Sequence, residues 1–113
     1  MLPRLVGRAR AAELALLGEP LPAAQAREMG LIYKCVAADT LGEETANLAG
    51  RLARGPTKAI GITKRNMYYV LQGTFAASLA VEAVGQCKAA ITHDAKEGVD
   101  SFLSGRKPAF KGR

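Results

Sequence analysis

A mainly α-helical fold with one short strand is predicted by three features of this 113-residue chain. Glycine and proline cut it into segments of helical length. Apolar residues in most of those segments recur at three- and four-residue spacing, the repeat of a helix face. Only Leu31–Val36 is dense in the branched and aromatic residues that favour a strand.

The elements follow in order. Met1–Arg8 is apolar and carries no start signal, so a preceding segment upstream of Met1 is expected to complete it. Arg8–Leu17 reads as a helix ended by Gly18, with Leu14 and Leu17 on one face. Glu19–Pro22 is a turn, and Ala23–Met29 a second short helix closed by Gly30. The Leu31–Val36 strand comes next. A buried strand needs partners for its backbone donors and acceptors, and its ladder partner is expected upstream of Met1 rather than in another copy. Thr40 with Glu43 has the spacing of a capping box for a third helix, whose Leu41, Leu48 and Leu52 share one side. Gly55–Pro56 ends it, with Pro56 suited to the first helical position of the next helix. That helix carries Ile60, Met67 and Leu71 to Gly73. Thr74 caps a longer helix through Phe75, Leu79, Ala83 and Ala90. Asp94, with Glu97 three residues on, is placed to cap a last helix whose apolar face is Val99, Phe102 and Leu103. Gly105 suits a left-handed closure, and Pro108 prevents a restart.

Composition narrows the function classes. A chain this long fits one domain with a core of its own. Its 49% hydrophobic and 23% charged residues argue against disorder. No run approaches the roughly 18 apolar residues of a membrane span, and no secretory or transit pattern opens the chain. Cys35 and Cys87 stand alone in different elements, as reduced thiols do in cytosolic proteins. The net charge of +6 comes from 16 basic and 10 acidic residues. The basic residues are scattered singly, without interleaved aromatics, which speaks against nucleic acid. A cluster at the end (Arg106, Lys107, Lys111, Arg113) could instead meet a phosphate-bearing small molecule.

No catalytic constellation is visible. His93 is the only histidine and sits at a helix entrance, where a surface or capping role fits. Cys87 lies six residues earlier but has neither an oxyanion loop nor an orienting carboxylate. Two cysteines and one histidine make a poor zinc set, so no metal site is expected. Ser78, Ser101 and Ser104 have no base nearby in sequence. Phosphate-cradling glycine loops and a nucleophile elbow are absent. Glu13, Glu19, Glu28, Glu43, Glu44 and Glu82 fall on solvent-facing or capping positions.

Four strings in order, LPRLVGRARAAELALLGEPL, AAQAREMGLIYKCVAADTL, GPTKAIGITKRNM and EGVDSFLSGRKPAF, span nearly the whole chain. In this order and at these spacings the sequence resembles the C-terminal part of the enoyl-CoA hydratase/isomerase (crotonase) superfamily subunit. The resemblance implies one partial crotonase-like domain over residues 1–113. Residues 1–38 would end the spiral core region and 39–113 would form the C-terminal helical region, which packs subunits into trimers or paired trimers. The family's N-terminal ββα core would be absent. The family hydrates or isomerises enoyl-CoA thioesters, holding the thioester oxygen in an oxyanion hole of two backbone N–H groups; losing such a donor typically costs about 10²–10³ in rate. Those groups and the acid/base carboxylates lie in the family's N-terminal half or just before the position of Leu2. None maps onto this chain, so no catalytic residue is expected and the chain alone should be inactive.

What the resemblance carries over is binding. The family's final helix turns an aromatic residue toward the coenzyme A adenine, and this position is Phe102; the alternative is that Phe102 is a core residue of its helix. Many relatives have a lysine three residues later, where this chain has Gly105, leaving Arg106 and Lys107 as the phosphate candidates. Pro22 replaces the usual serine-type cap of the second helix. The expected partners are acyl-CoA or coenzyme A, as substrate with no further cofactor, and other copies of the chain in the cytoplasm. Degradation of fatty or aromatic acids is the implied setting. The competing expectation is a non-catalytic helical protein serving interaction or oligomerisation.

Overall fold

Helices form wherever periodicity and caps agree, and no strand forms. The computed structural model describes residues 1–113, in the order α1 (Leu2–Leu17), α2 (Ala23–Glu28), α3 (Leu41–Ala53), α4 (Thr57–Val70), α5 (Phe75–Ala90) and α6 (His93–Leu103). They belong to two compact units, Met1–Gly42 and Glu43–Arg113.

In the first unit, α1 begins at Leu2, six residues before the expected Arg8 helix, because Pro3 suits a first turn that has no N–H to lose. Gly7 interrupts it at φ 79°, a backbone that excludes side-chain-bearing residues at low cost. Gly18 ends it where expected, in the left-handed conformation. Pro22 stands at the N-cap of α2 without a side-chain acceptor. Ala11 and Ala26 are the buried residues of this unit.

The Leu31–Val36 strand is not formed, and the reason is local. Gly30 turns the chain at φ 74°. The N–H groups of Leu31 and Ile32 then both donate to the Ala26 carbonyl, at 2.9 and 3.3 Å. Donors bent back onto the preceding helix cannot build a ladder, and no other extended segment offers one. Branched side chains lose to hydrogen-bond geometry.

In the second unit the caps also differ from expectation. Just ahead of it, at the end of the first unit, Thr40 Oγ1 donates to the Ala37 carbonyl at 3.0 Å, while Glu43 and Glu44 place negative charge in the first turn of α3. Pro56 is the N-cap of α4, not its first helical residue. Thr74 caps α5 as expected, accepting from Ala77 N–H at 3.3 Å. Thr92, not Asp94, caps α6: its hydroxyl oxygen accepts from Ala95 N–H at 3.1 Å and donates to the Ala89 carbonyl at 2.7 Å.

Helix α4 packs along α5, and α5 packs against α6. The close point is Gly85, which is buried on α5. A Cβ there would lie 2.8 Å from Ile62 Cγ2 and 2.9 Å from Asn66 Nδ2. The Ile62 methyl is fixed to a branched carbon and cannot swing away. Gly85→Ala is therefore expected to destabilise by about 1–3 kcal/mol through overpacking, less the roughly 1 kcal/mol that alanine gains in a helix. Urea unfolding of the variant measures the balance; a raised midpoint contradicts this packing.

The apolar helix faces are not covered. Leu41, Leu48 and Leu52 of α3, Met67 and Val70 of α4, Phe75 and Leu79 of α5, and Val99, Phe102 and Leu103 of α6 are all exposed. The chain exposes 8926 Å², whereas two separate globules of the size of its two units would expose about 7,100 Å². The units thus carry about 1,800 Å² more surface than compact globules of their size.

Candidate functional site

The last helix and the segment after it hold a dense polar network beside an apolar groove. Gly105, at φ 63°, turns the backbone so that Arg106 N–H donates to the Ser101 carbonyl at 3.0 Å. This is the six-to-one bond of a glycine-closed helix end. Residues 106–113 then run back along α6. Asp94 is 3% exposed, and its two oxygens accept from Lys111 N–H at 2.8 Å and Gly112 N–H at 2.7 Å. Its own N–H donates to the Arg113 carbonyl at 3.0 Å. One turn further on, Glu97 takes both arms of the Arg106 guanidinium, at 2.6 and 2.9 Å, and the Ala109 N–H at 2.7 Å. Such forked, charge-assisted pairs are the stronger kind of hydrogen bond. The expected Asp94–Glu97 capping pair is thus a pair of clamps on the returning segment.

The charges respond. Hydrogen bonding to the Lys111 amide, then to the Gly112 amide and to His93, holds the Asp94 carboxyl below its ordinary value, although burial opposes this. The Arg106 guanidinium, then the Ala109 amide, hold Glu97 at about 2 against an ordinary 4.5, and Glu97 in turn raises Arg106. A carboxylate with a depressed pKa stabilises the fold in full above its unfolded value and loses that contribution as pH falls through the folded one. The protection factor of the Ala109 amide, held by Glu97, is therefore expected to be flat from neutral pH to about 4.5 and to fall between there and about 2. Those of Lys111 and Gly112, held by Asp94, are expected to fall only below the ordinary aspartate value of 3.8. Ala109 protection undiminished at about pH 2 contradicts the Glu97 clamp.

The groove lies between the start of α4 and α6. It holds about 460 Å³, and Pro56, Ala59, Ala89, Val99, Phe102 and Phe110 are among its lining residues. The Phe110 ring lies beside Gly98: a Cβ added there would meet the ring's Cε1 at 3.7 Å, an ordinary van der Waals distance. A groove of this size with apolar walls is in the range that small ligands occupy.

The three candidate residues take different places. Phe102 lines the groove and is 85% exposed, which corrects the expectation that it is a core residue of its helix. Arg106 is committed to Glu97. Lys107 is exposed, and its carbonyl accepts a long contact of 3.5 Å from Arg106 Nη1. The structural roles of Asp94 and Glu97 were missed because their partners lie beyond any helical repeat; Pro108 and the run of residues after it were the only signal of a returning segment. His93 stands 3.4 Å from Asp94 Oδ1. Cys35 and Cys87 are exposed free thiols, and no cluster of three metal-ligating residues exists. Glu13, Glu19, Glu28, Glu43 and Glu82 are exposed, and Glu44 is half-buried. No helix is long and apolar enough to cross a membrane.

The sequence model of the enoyl-CoA hydratase/isomerase family matches residues 1–113. The chain belongs to the enoyl-CoA hydratase/isomerase family. Among curated members, 1,2-epoxyphenylacetyl-CoA isomerase of Escherichia coli K12 is 41% identical over 113 residues, covering 100% of this chain and 43% of that protein. The 2,3-dehydroadipyl-CoA hydratase of the same organism is 34% identical over 112 residues, or 99% of this chain and 44% of that protein. A crystal structure of a putative enoyl-CoA hydratase/isomerase from Mycobacterium abscessus superposes with a TM-score of 0.94 at 34% identity, over 99% of this chain and 43% of that one. The chain thus spans less than half the length of these family members. Its helices α1–α6 correspond to the C-terminal helical part of the family's crotonase-like fold.

Proposed function

We propose that this chain provides subunit packing and one wall of an acyl-CoA site in an enoyl-CoA hydratase/isomerase family protein. One observation carries the reading: Phe102 stands almost wholly in solvent on the rim of an apolar groove. An aromatic ring left so exposed is suited to stack on the face of a base, a contact worth about 1–3 kcal/mol. In this reading the adenine of coenzyme A lies on Phe102. Lys107 meets a phosphate, with Arg106 contributing only what charge its Glu97 partner leaves. The exposed faces of α3, α4 and α5 would be covered by the rest of a subunit and by other copies, as a trimer or paired trimers.

The substrate class is a coenzyme A thioester and the reaction class is hydration or isomerisation. The matched relatives, one named for an aromatic acyl-CoA and one for an unsaturated dicarboxylic acyl-CoA, favour degradation of aromatic or fatty acids as the setting. The oxyanion donors and the acid and base would come from outside residues 1–113. Purified alone, the chain is expected to turn over short and medium enoyl-CoA substrates no faster than an unrelated protein. It is expected to bind free coenzyme A weakly, with affinity falling as salt screens the phosphates. Turnover that a point change within residues 1–113 abolishes would overturn this division of labour. The same exposed faces favour a second reading, a helical interaction protein that catalyses nothing. Salt-independent or absent coenzyme A binding by an otherwise assembled protein decides for it.

A further inference from the structure

We infer that Arg106–Arg113 is a strap that fixes α6 against the start of α4, and that Asp94 and Glu97 are the positioning residues that hold it. The strap meets α6 at three successive turns. Its first amide, that of Arg106, is bound at Ser101. The Ala109 amide and the Arg106 side chain are bound at Glu97, and the Lys111 and Gly112 amides at Asp94. It also reaches the other wall of the groove. A Cβ on Gly112 would lie 2.6 Å from Thr57 Oγ1, the first residue of α4, and Gly112 itself is at φ 72°. Phe110, between the two clamps, lies beside Gly98 and is one of the residues lining the groove.

A division of labour at the start of α6 supports this. Asp94 sits in the first turn, where a carboxylate ordinarily caps its own helix. Thr92 performs that task, so both Asp94 oxygens are spent on the strap instead. The buried carboxylate would otherwise keep only the 3.4 Å contact with His93, and an under-satisfied buried charge is costly. Strap and α6 therefore hold one another. Pro56 and Ala59 of α4 face Val99 and Phe102 of α6 across the groove, so the strap sets the spacing of its two walls. This inference does not depend on what the groove binds.

Hydrogen exchange of the full chain, read by mass spectrometry and corrected for intrinsic rates, tests it on Asp94→Asn, Glu97→Gln and Gly112→Ala. Each is expected to lower protection of residues 109–112 at least tenfold and to lower that of α6 with it, while α4 and α5 stay unchanged. Gly112→Ala is the sharper variant, because it leaves every residue of α6 and both carboxylates in place. Strap amides freed with α6 protection unchanged would make the strap a decoration. Equal loss across α4, α5 and α6 would make the carboxylates merely structural. Wild-type protection in all three variants would mean that no strap exists. Any of these three results overturns the inference.

Discussion

Phe102→Ala should lower coenzyme A affinity about five- to a hundredfold, the equivalent of the 1–3 kcal/mol of one base stacked on an aromatic ring. Stability should change little. A residue 85% exposed leaves no cavity when truncated, and surface substitutions away from packed features stay within about 0.5 kcal/mol. Core truncation of a phenylalanine costs about 3–5 kcal/mol, so the two roles separate on one variant. Coenzyme A titration and thermal unfolding, run side by side, read both. Unchanged affinity removes Phe102 from the coenzyme site; a large fall in the unfolding midpoint shows its ring buried in the assembled protein.

The second large effect concerns the uncovered faces. The excess surface of about 1,800 Å² is larger than the roughly 800 Å² that each partner of a standard protein interface buries. Exposed apolar patches of this extent favour association. Phe75, 84% exposed, and Leu79, 55% exposed, belong to this surface on α5. Introducing charge there, as Phe75→Glu with Leu79→Glu, is expected to weaken self-association at least tenfold while helix content by circular dichroism stays constant. Lost helicity at unchanged association would show that these side chains serve the fold rather than an interface.

Much of the backbone was legible because it depends on short-range chemistry. Gly18 and Gly105 end their helices as expected, Gly105 in the left-handed region it was expected to supply, and Thr74 caps α5 with its own oxygen. The strand failed because propensity at Leu31–Val36 is a weak preference. Gly30 and the Ala26 carbonyl redirect two of its donors, a competition that composition does not express. The roles of Asp94 and Glu97 were hidden for a different reason. Asp94 finds its acceptors' partners 17 and 18 residues away, and Glu97 finds Arg106 nine away. No helical repeat links such positions. Phe102 was legible as the aromatic of an apolar face, but not as exposed, because periodicity marks a face to be covered without saying which chain covers it.

That the chain is built to be covered is tested most directly by its mass in solution. Multi-angle light scattering of the purified chain at micromolar concentration should give a multiple of 11.9 kDa, stable on dilution only down to the dissociation constant of the assembly. A sharp peak at the monomer mass, with well-dispersed amide resonances, would contradict the account: those apolar faces would then be compatible with water.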